Sequence, residues 1–250
     1  MIYDVNGNAI IEDVTNIVTP TFSASLNGNA LIKHAICSHA DFVTAYNDGY
    51  KMMEGDVHFT SDGYMIVNHD STLGGLTIAS STLAELQAVA TVYLFDDFML
   101  DCKKYNVFAD IDFTKTYTQQ QSATLVDHII KAGMNDRCSI ECYVSSSAVY
   151  LTNASTDLIL NILGIRTTAN ADSCEPFEEL SKCIIATIPH SDITTEIVQY
   201  CHQKGYITKT WTGAAAGSGV DTKAQVEGYL DMGISQVITN SVKPSDIVPT

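Results

Sequence analysis

Eight short apolar, β-branched stretches punctuate the chain, at about 31–35, 52–57, 107–112, 138–142, 157–162, 182–187, 206–211 and 236–239, and each is followed by a helical or capped segment. Runs this apolar are buried on both faces, as parallel strands under covering helices are. The alternation therefore reads as α/β. Periodicity alone does not separate an open sheet from a closed barrel. The count of eight and the length of 250 residues favour a (β/α)8 TIM barrel, which typically takes about 250 residues. An apolar fraction of 46% is ample for one such core.

The intervening segments carry ordinary helix signals. Ser38 is a plausible N-cap for a helix over His39 to Gly49. Thr82 with Glu85 three residues on forms a capping box. Leu125, Val126, Ile129 and Ile130 share one face of a helix over Gln119 to Gly133, and Asp221 to Gly233 repeats the pattern. His128 lies in the former as a packing or solvated residue. Residues 1–29 read as a short N-terminal extension, a small β-element or attachment segment with an Asn6-Gly7 hairpin signal. The barrel domain is then 30–250. Met1 to Asp4 lacks the basic start and apolar core of a secretory leader, and no window reaches a membrane span.

The chemistry concentrates between Glu54 and Asp70. Glu54 and Asp56 stand one residue apart on an apolar strand, so both carboxylates point to one face, close enough to chelate a hard cation. Met52, Met53 and Val57 flank them, and buried carboxylates need a cation or hydrogen-bond donors. A Ser61-Asp62-Gly63 turn follows, and an apolar strand delivers His69-Asp70. Upstream, a short apolar strand ends in His34. His39, at a helix start, and His58, at a hairpin start, are not expected to be catalytic.

This order resembles the glycerophosphodiester phosphodiesterase family. His34, Ala45 and Gly49, the Glu54-x-Asp56 pair, Thr60 with Asp62-Gly63, and His69-Asp70 carry the resemblance. It continues through the helix start at Thr82 to Leu86, the strand Val107 to Phe113, the Trp211-Thr212 strand end and the last strand closing at Asn240, roughly residues 30 to 248. The family's His-Arg-Gly is His34-Ala35-Ile36 here, so its phosphate-holding arginine is missing, and Asp112 stands where the family has lysine.

The resemblance implies a metal-dependent phosphodiesterase that hydrolyses glycerophosphodiesters to sn-glycerol 3-phosphate and an alcohol. It implies Asp110 as third ligand beside Glu54 and Asp56, for Mg2+ or Ca2+. His34 and His69 would be the general acid and base, a task suited to imidazole. Lys209, which shares strand parity with Trp211, could replace the missing cationic grip; Lys115 and Lys33 are weaker candidates. Trp211 could line the alcohol pocket, and Glu141 could serve substrate or cation. Two other readings stay open: a barrel lyase releasing a cyclic phosphate, and a glycerophosphate-polymer binding module.

A net charge of −16, with 13 basic against 29 acidic residues, argues against nucleic acid or an anionic membrane as partner. A small-molecule diester is the expected partner, its charge met by bound metal. Seven cysteines without a zinc pattern suggest reduced thiols and a cytoplasmic setting, with secretion or attachment to an assembly left open.

Overall fold

The computed structural model describes residues 2–3, 9–11, 30–213 and 221–247. Eight parallel strands form its centre: β1 (Leu31–Lys33), β2 (Met52–Phe59), β3 (Phe108–Asp112), β4 (Cys138–Tyr143), β5 (Ile159–Leu163), β6 (Cys183–Thr187), β7 (Ile207–Trp211) and β8 (Gln236–Thr239). Each pairs with its sequence neighbour, and β8 pairs with β1, so the sheet closes on itself. The expected (β/α)8 barrel is the observed one.

Strand alternation sorts the side chains into two cores. One parity turns outward and packs under the helices, with Met53, Val57, Ile111, Ile140, Leu160 and Val237 meeting Phe42, Phe98 and Leu125. The other parity turns inward. Ile32, Met52, Phe108, Ile159, Ile185 and Ile238 cluster inside the barrel. Towards the strands' C-terminal ends this inward parity becomes polar, which is where barrel active sites gather.

The helices follow local chemistry. Thr82 and Thr118 close complete capping boxes with Glu85 and Gln121, and Gly133 ends its helix at φ 65°. The first helix spans His39–Asn47 behind a Ser38 cap, and the helix expected over Asp221 to Gly233 spans Lys223–Asp231. Phe95–Lys104 forms a helix with no capping side chain to announce it; acids in its first turn and lysines in its last complement the helix dipole instead. Ile2–Tyr3 pairs antiparallel with Ala9–Ile11; the rest of the expected N-terminal element lies outside the described residues. Among the described residues no helix is long and apolar enough to cross a membrane.

One insertion shapes the site. β2 runs past the barrel rim and folds back through the turn at Thr60 to Tyr64 into Met65–Val67, its antiparallel partner. The returning arm crosses the outer face of β2 so closely that a Cβ on Gly55 would lie 2.7 Å from Val67 Cγ1, with the Phe98 ring behind. Gly55→Ala is therefore expected to cost about 1–3 kcal/mol through overpacking. Urea melts check this, and a variant as stable as the parent would mean that the arm shifts freely.

Candidate active site

β1 delivers His34 to the barrel mouth. Its Nδ1–H donates to Asn240 Oδ1 at 2.7 Å, which leaves Nε2 as the basic nitrogen. Asn240 is fixed in turn by Asp221, whose carboxylate accepts from the Asn240 and Ser241 backbone N–H groups and the Thr239 hydroxyl. Burial lowers the His34 pKa, with His69 acting in the same direction, against the Asn240 hydrogen bond. The next residue, Ala35, is left-handed at φ 57°. Its N–H donates to Glu54 Oε2 at 2.6 Å, so a strained backbone ties the histidine strand to the first carboxylate.

The β2 hairpin delivers His69. Asn68 N–H donates to Asp56 O at 3.0 Å, and His69 N–H donates to the Cys37 sulfur at 3.2 Å. The His69 Nδ1 lies 3.0 Å from Asp70 Oδ1. Residues 35 positions apart thus meet: the His34 and His69 ring centroids are 5.2 Å apart, nearly perpendicular at 81°.

In the same cavity sit Glu54, Asp56 and Asp112, one oxygen from each lying within 4.8 Å of the others. Burial and mutual repulsion lift their proton affinity. Asp56 is pushed up to about 7 by desolvation and by Asp112, and Glu54 is raised by desolvation and by Asp56 and Asp112. The buried Asp56 Oδ2 has no hydrogen-bond partner among the described residues. Asp112 is oriented by the Thr114 N–H and hydroxyl, both on its Oδ1. All three line a cavity of about 300 Å³ shared with His34 and His69.

Asp110, the expected third ligand, lines the same cavity but lies outside the three-carboxylate group. Asp112, not Asp110, completes the three-carboxylate group. Asp110 accepts from Ser139 Oγ at 2.5 Å and from Asn161 Nδ2 at 3.3 Å, and it forms an ion pair with Lys209. Glu54 and Asp110 are register partners, as are Asp56 and Asp112. The extra methylene of Glu54 reaches up to the Asp56–Asp112 rung, whereas the shorter Asp110 stays on its own rung and meets the lysine.

Lys209 is also placed otherwise than expected. It faces the interior like Trp211, but it is fully buried and bound to both Asp110 and Glu141, the latter at 2.6 Å. Burial alone would lower its pKa; the two carboxylates outweigh burial and hold the ammonium above its ordinary value. An ammonium so engaged does not reach a phosphate. Glu141 lines the cavity while bonded to Lys209 and Asn161. Trp211 lines the cavity directly. Lys115 is exposed at the mouth, its Nζ 3.1 Å from His58 Nε2, and burial beside that lysine lowers the His58 pKa to about 4. His39 is taken up by Asp101 at 2.7 Å. Lys33 donates to Asn240 O at 2.5 Å.

Fold and site together give a (β/α)8 barrel with paired imidazoles and clustered carboxylates lining one cavity at the strands' C-terminal ends. Residues 33–91 match the model of the Glycerophosphoryl diester phosphodiesterase family. A glycerophosphodiester phosphodiesterase from Parabacteroides distasonis superposes with a TM-score of 0.70 at 17% identity, over 88% of this chain and 95% of that one. One from Agrobacterium tumefaciens gives 0.68 at 14%, over 87% and 98%. A phosphodiesterase from Oleispira antarctica, in complex with the product sn-glycerol-3-phosphate, gives 0.66 at 13%, over 86% and 94%. No curated protein matches the sequence. The chain is thus similar to glycerophosphodiester phosphodiesterases in sequence over residues 33–91 and in fold over nearly the whole barrel.

Proposed function

We propose that the protein is a metal-dependent phosphodiesterase that hydrolyses glycerophosphodiesters to sn-glycerol 3-phosphate and an alcohol. The observation that carries this reading is the convergence of His34 and His69, 5.2 Å apart, on the cavity that also holds Glu54, Asp56 and Asp112. Two titratable rings at that spacing can flank one phosphorus.

The residues fit a hard divalent cation. Three carboxylate oxygens within 4.8 Å suit oxygen-seeking Mg2+ or Ca2+. The unpartnered Asp56 Oδ2 is a lone-pair donor awaiting a positive charge. Such a cation, when bound, polarises a phosphoryl oxygen and offsets charge that builds up in the transition state. Glu54, Asp56 and Asp112 are the residues that would hold it.

The protein's own groups move the protons. His34, protonated on Nδ1 and neutral through burial, takes the proton of the attacking hydroxyl at Nε2. His69, oriented by Asp70 and by Cys37, donates to the leaving alkoxide. The attacker is the glycerol hydroxyl beside the phosphate, and water completes the hydrolysis with the two roles reversed.

Turnover of glycerophosphocholine followed by phosphorus NMR tests the reading. A phosphomonoester product is expected, with activity lost to chelator and restored by Mg2+ or Ca2+. A persistent cyclic phosphate would move the reaction to the lyase class. Turnover untouched by chelator would remove the cation from Glu54, Asp56 and Asp112.

A further inference from the structure

His69 reaches the cavity from an exposed segment. The returning arm is buried through Met65–Val67, but His69 to Thr72 are exposed. The carboxylate beside the ring does little to hold it, because Asp70 is 76% exposed and exposed ion pairs contribute little. The place of the ring opposite His34 is therefore set by the backbone at Asn68 and His69 and by what that backbone is bonded to.

One of its partners is a histidine that the proposed reaction leaves unused. His58 shares strand parity with Glu54 and Asp56 and is 5% exposed. Its ring hydrogen-bonds the backbone of Asn68 and of His69, and its Nε2 lies 3.1 Å from Lys115 Nζ. An ammonium only donates, so Nε2 is the acceptor and Nδ1 carries the proton that the arm's carbonyls accept. Both nitrogens of one buried ring are thus engaged, each in the opposite sense. Lys115 belongs to the loop after β3. In that loop Thr114 hydrogen-bonds Asp112, and Tyr117 donates its buried hydroxyl to Val57 O at 2.6 Å. Through Lys115 and His58, the loop that orients Asp112 is joined to the arm that carries His69.

We propose that His58 is the positioning residue for His69, clasped by Lys115 so that the proton donor is held in register with the carboxylate cluster. The inference rests on the phosphodiesterase reading, in which His69 protonates the leaving alkoxide. His58 touches no substrate; it acts through the arm.

The test follows alcohol release in a single turnover by the full chain loaded with cation. Two substrates are compared: glycerophosphocholine, whose alkoxide needs a proton to leave, and the p-nitrophenyl ester of glycerol 3-phosphate, whose phenolate does not. His58→Leu keeps the bulk and removes both bonds. It should slow choline release by about 10- to 100-fold with little change in the half-saturating substrate concentration, the cost of displacing a catalytic group by about an ångström. That loss should exceed the loss on the p-nitrophenyl ester by about tenfold, because only the alkoxide depends on the proton donor. His58→Asn restores an amide donor to the arm and should recover much of the choline rate. Lys115 is exposed, so Lys115→Met reads the same link without opening the core, and it should show the same substrate-dependent loss in smaller measure. Equal losses on the two substrates, or choline release at the parent rate in His58→Leu and Lys115→Met, would overturn the proposal and leave the diesterase in place. Should His58→Leu fail to fold, Lys115→Met and His58→Asn decide by the same comparison. A parent that releases neither alcohol would remove the diesterase reading, and this role of His58 with it.

Discussion

Replacing either His34 or His69 with alanine is expected to lower kcat for glycerophosphodiester hydrolysis by about 10²- to 10⁴-fold with little change in KM, the effect of losing a general acid or base. Glu54, Asp56 and Asp112 remain in both variants, so the proposed cation and substrate should still bind. In the proposed reaction the pair acts on one phosphorus, and groups that act as a unit lose activity non-additively. The double variant should therefore fall little below the weaker single one. Full additivity would mean that the two rings act in separate steps. The pH profile gives a second readout. Burial lowers the His34 pKa, and a nearby cation pushes it further the same way, so the base stays neutral until the solution turns acidic. The acid limb of kcat/KM should then lie below the ordinary imidazole value of about 6.5. A limb above that value would mean that another group is the base.

The fold was legible in the sequence because a closed barrel repeats its own signal. Eight apolar runs of one kind, separated by capped helices, leave few other ways to bury every strand on both faces. The strand end at His34 and the Glu54-x-Asp56 pair were equally plain, since strand parity alone puts both carboxylates on one face. Parity failed where depth mattered. Asp110 and Asp112 share a face, as do Lys209 and Trp211, and nothing in a period of two says which rung is the mouth and which the interior. The register Glu54 with Asp110 and Asp56 with Asp112 resolves it. A signal was present: Asp110-x-Asp112 duplicates Glu54-x-Asp56, and a lysine two residues before Trp211 offers an inner acid a partner. The Cys37 sulfur that holds the His69 backbone had no such signal, because a contact between residues 32 apart across a hairpin leaves no pattern in the chain.

The inner rung makes a prediction of its own. Lys209 is fully buried between Asp110 and Glu141, so Lys209→Ala strands two buried carboxylates and is expected to cost about 3–5 kcal/mol of stability. Lys209→Met combined with Asp110→Asn and Glu141→Gln removes the stranded charges and should recover much of that loss, as uncharged replacements of buried ion networks often do. The deficit of the single variant should also depend on pH. Burial holds Glu141 at about 7 even beside Lys209, above the ordinary glutamate value of about 4.3. A carboxyl whose folded pKa is raised favours the fold while protonated and loses that contribution as pH climbs through the folded value. Without the lysine the folded value rises further. Urea melts in chelator should therefore show the larger deficit at pH 8.5 and the smaller at pH 5.5. A deficit that is equal at both would mean that water reaches Glu141, and that the cavity floor is wet rather than a buried charge network.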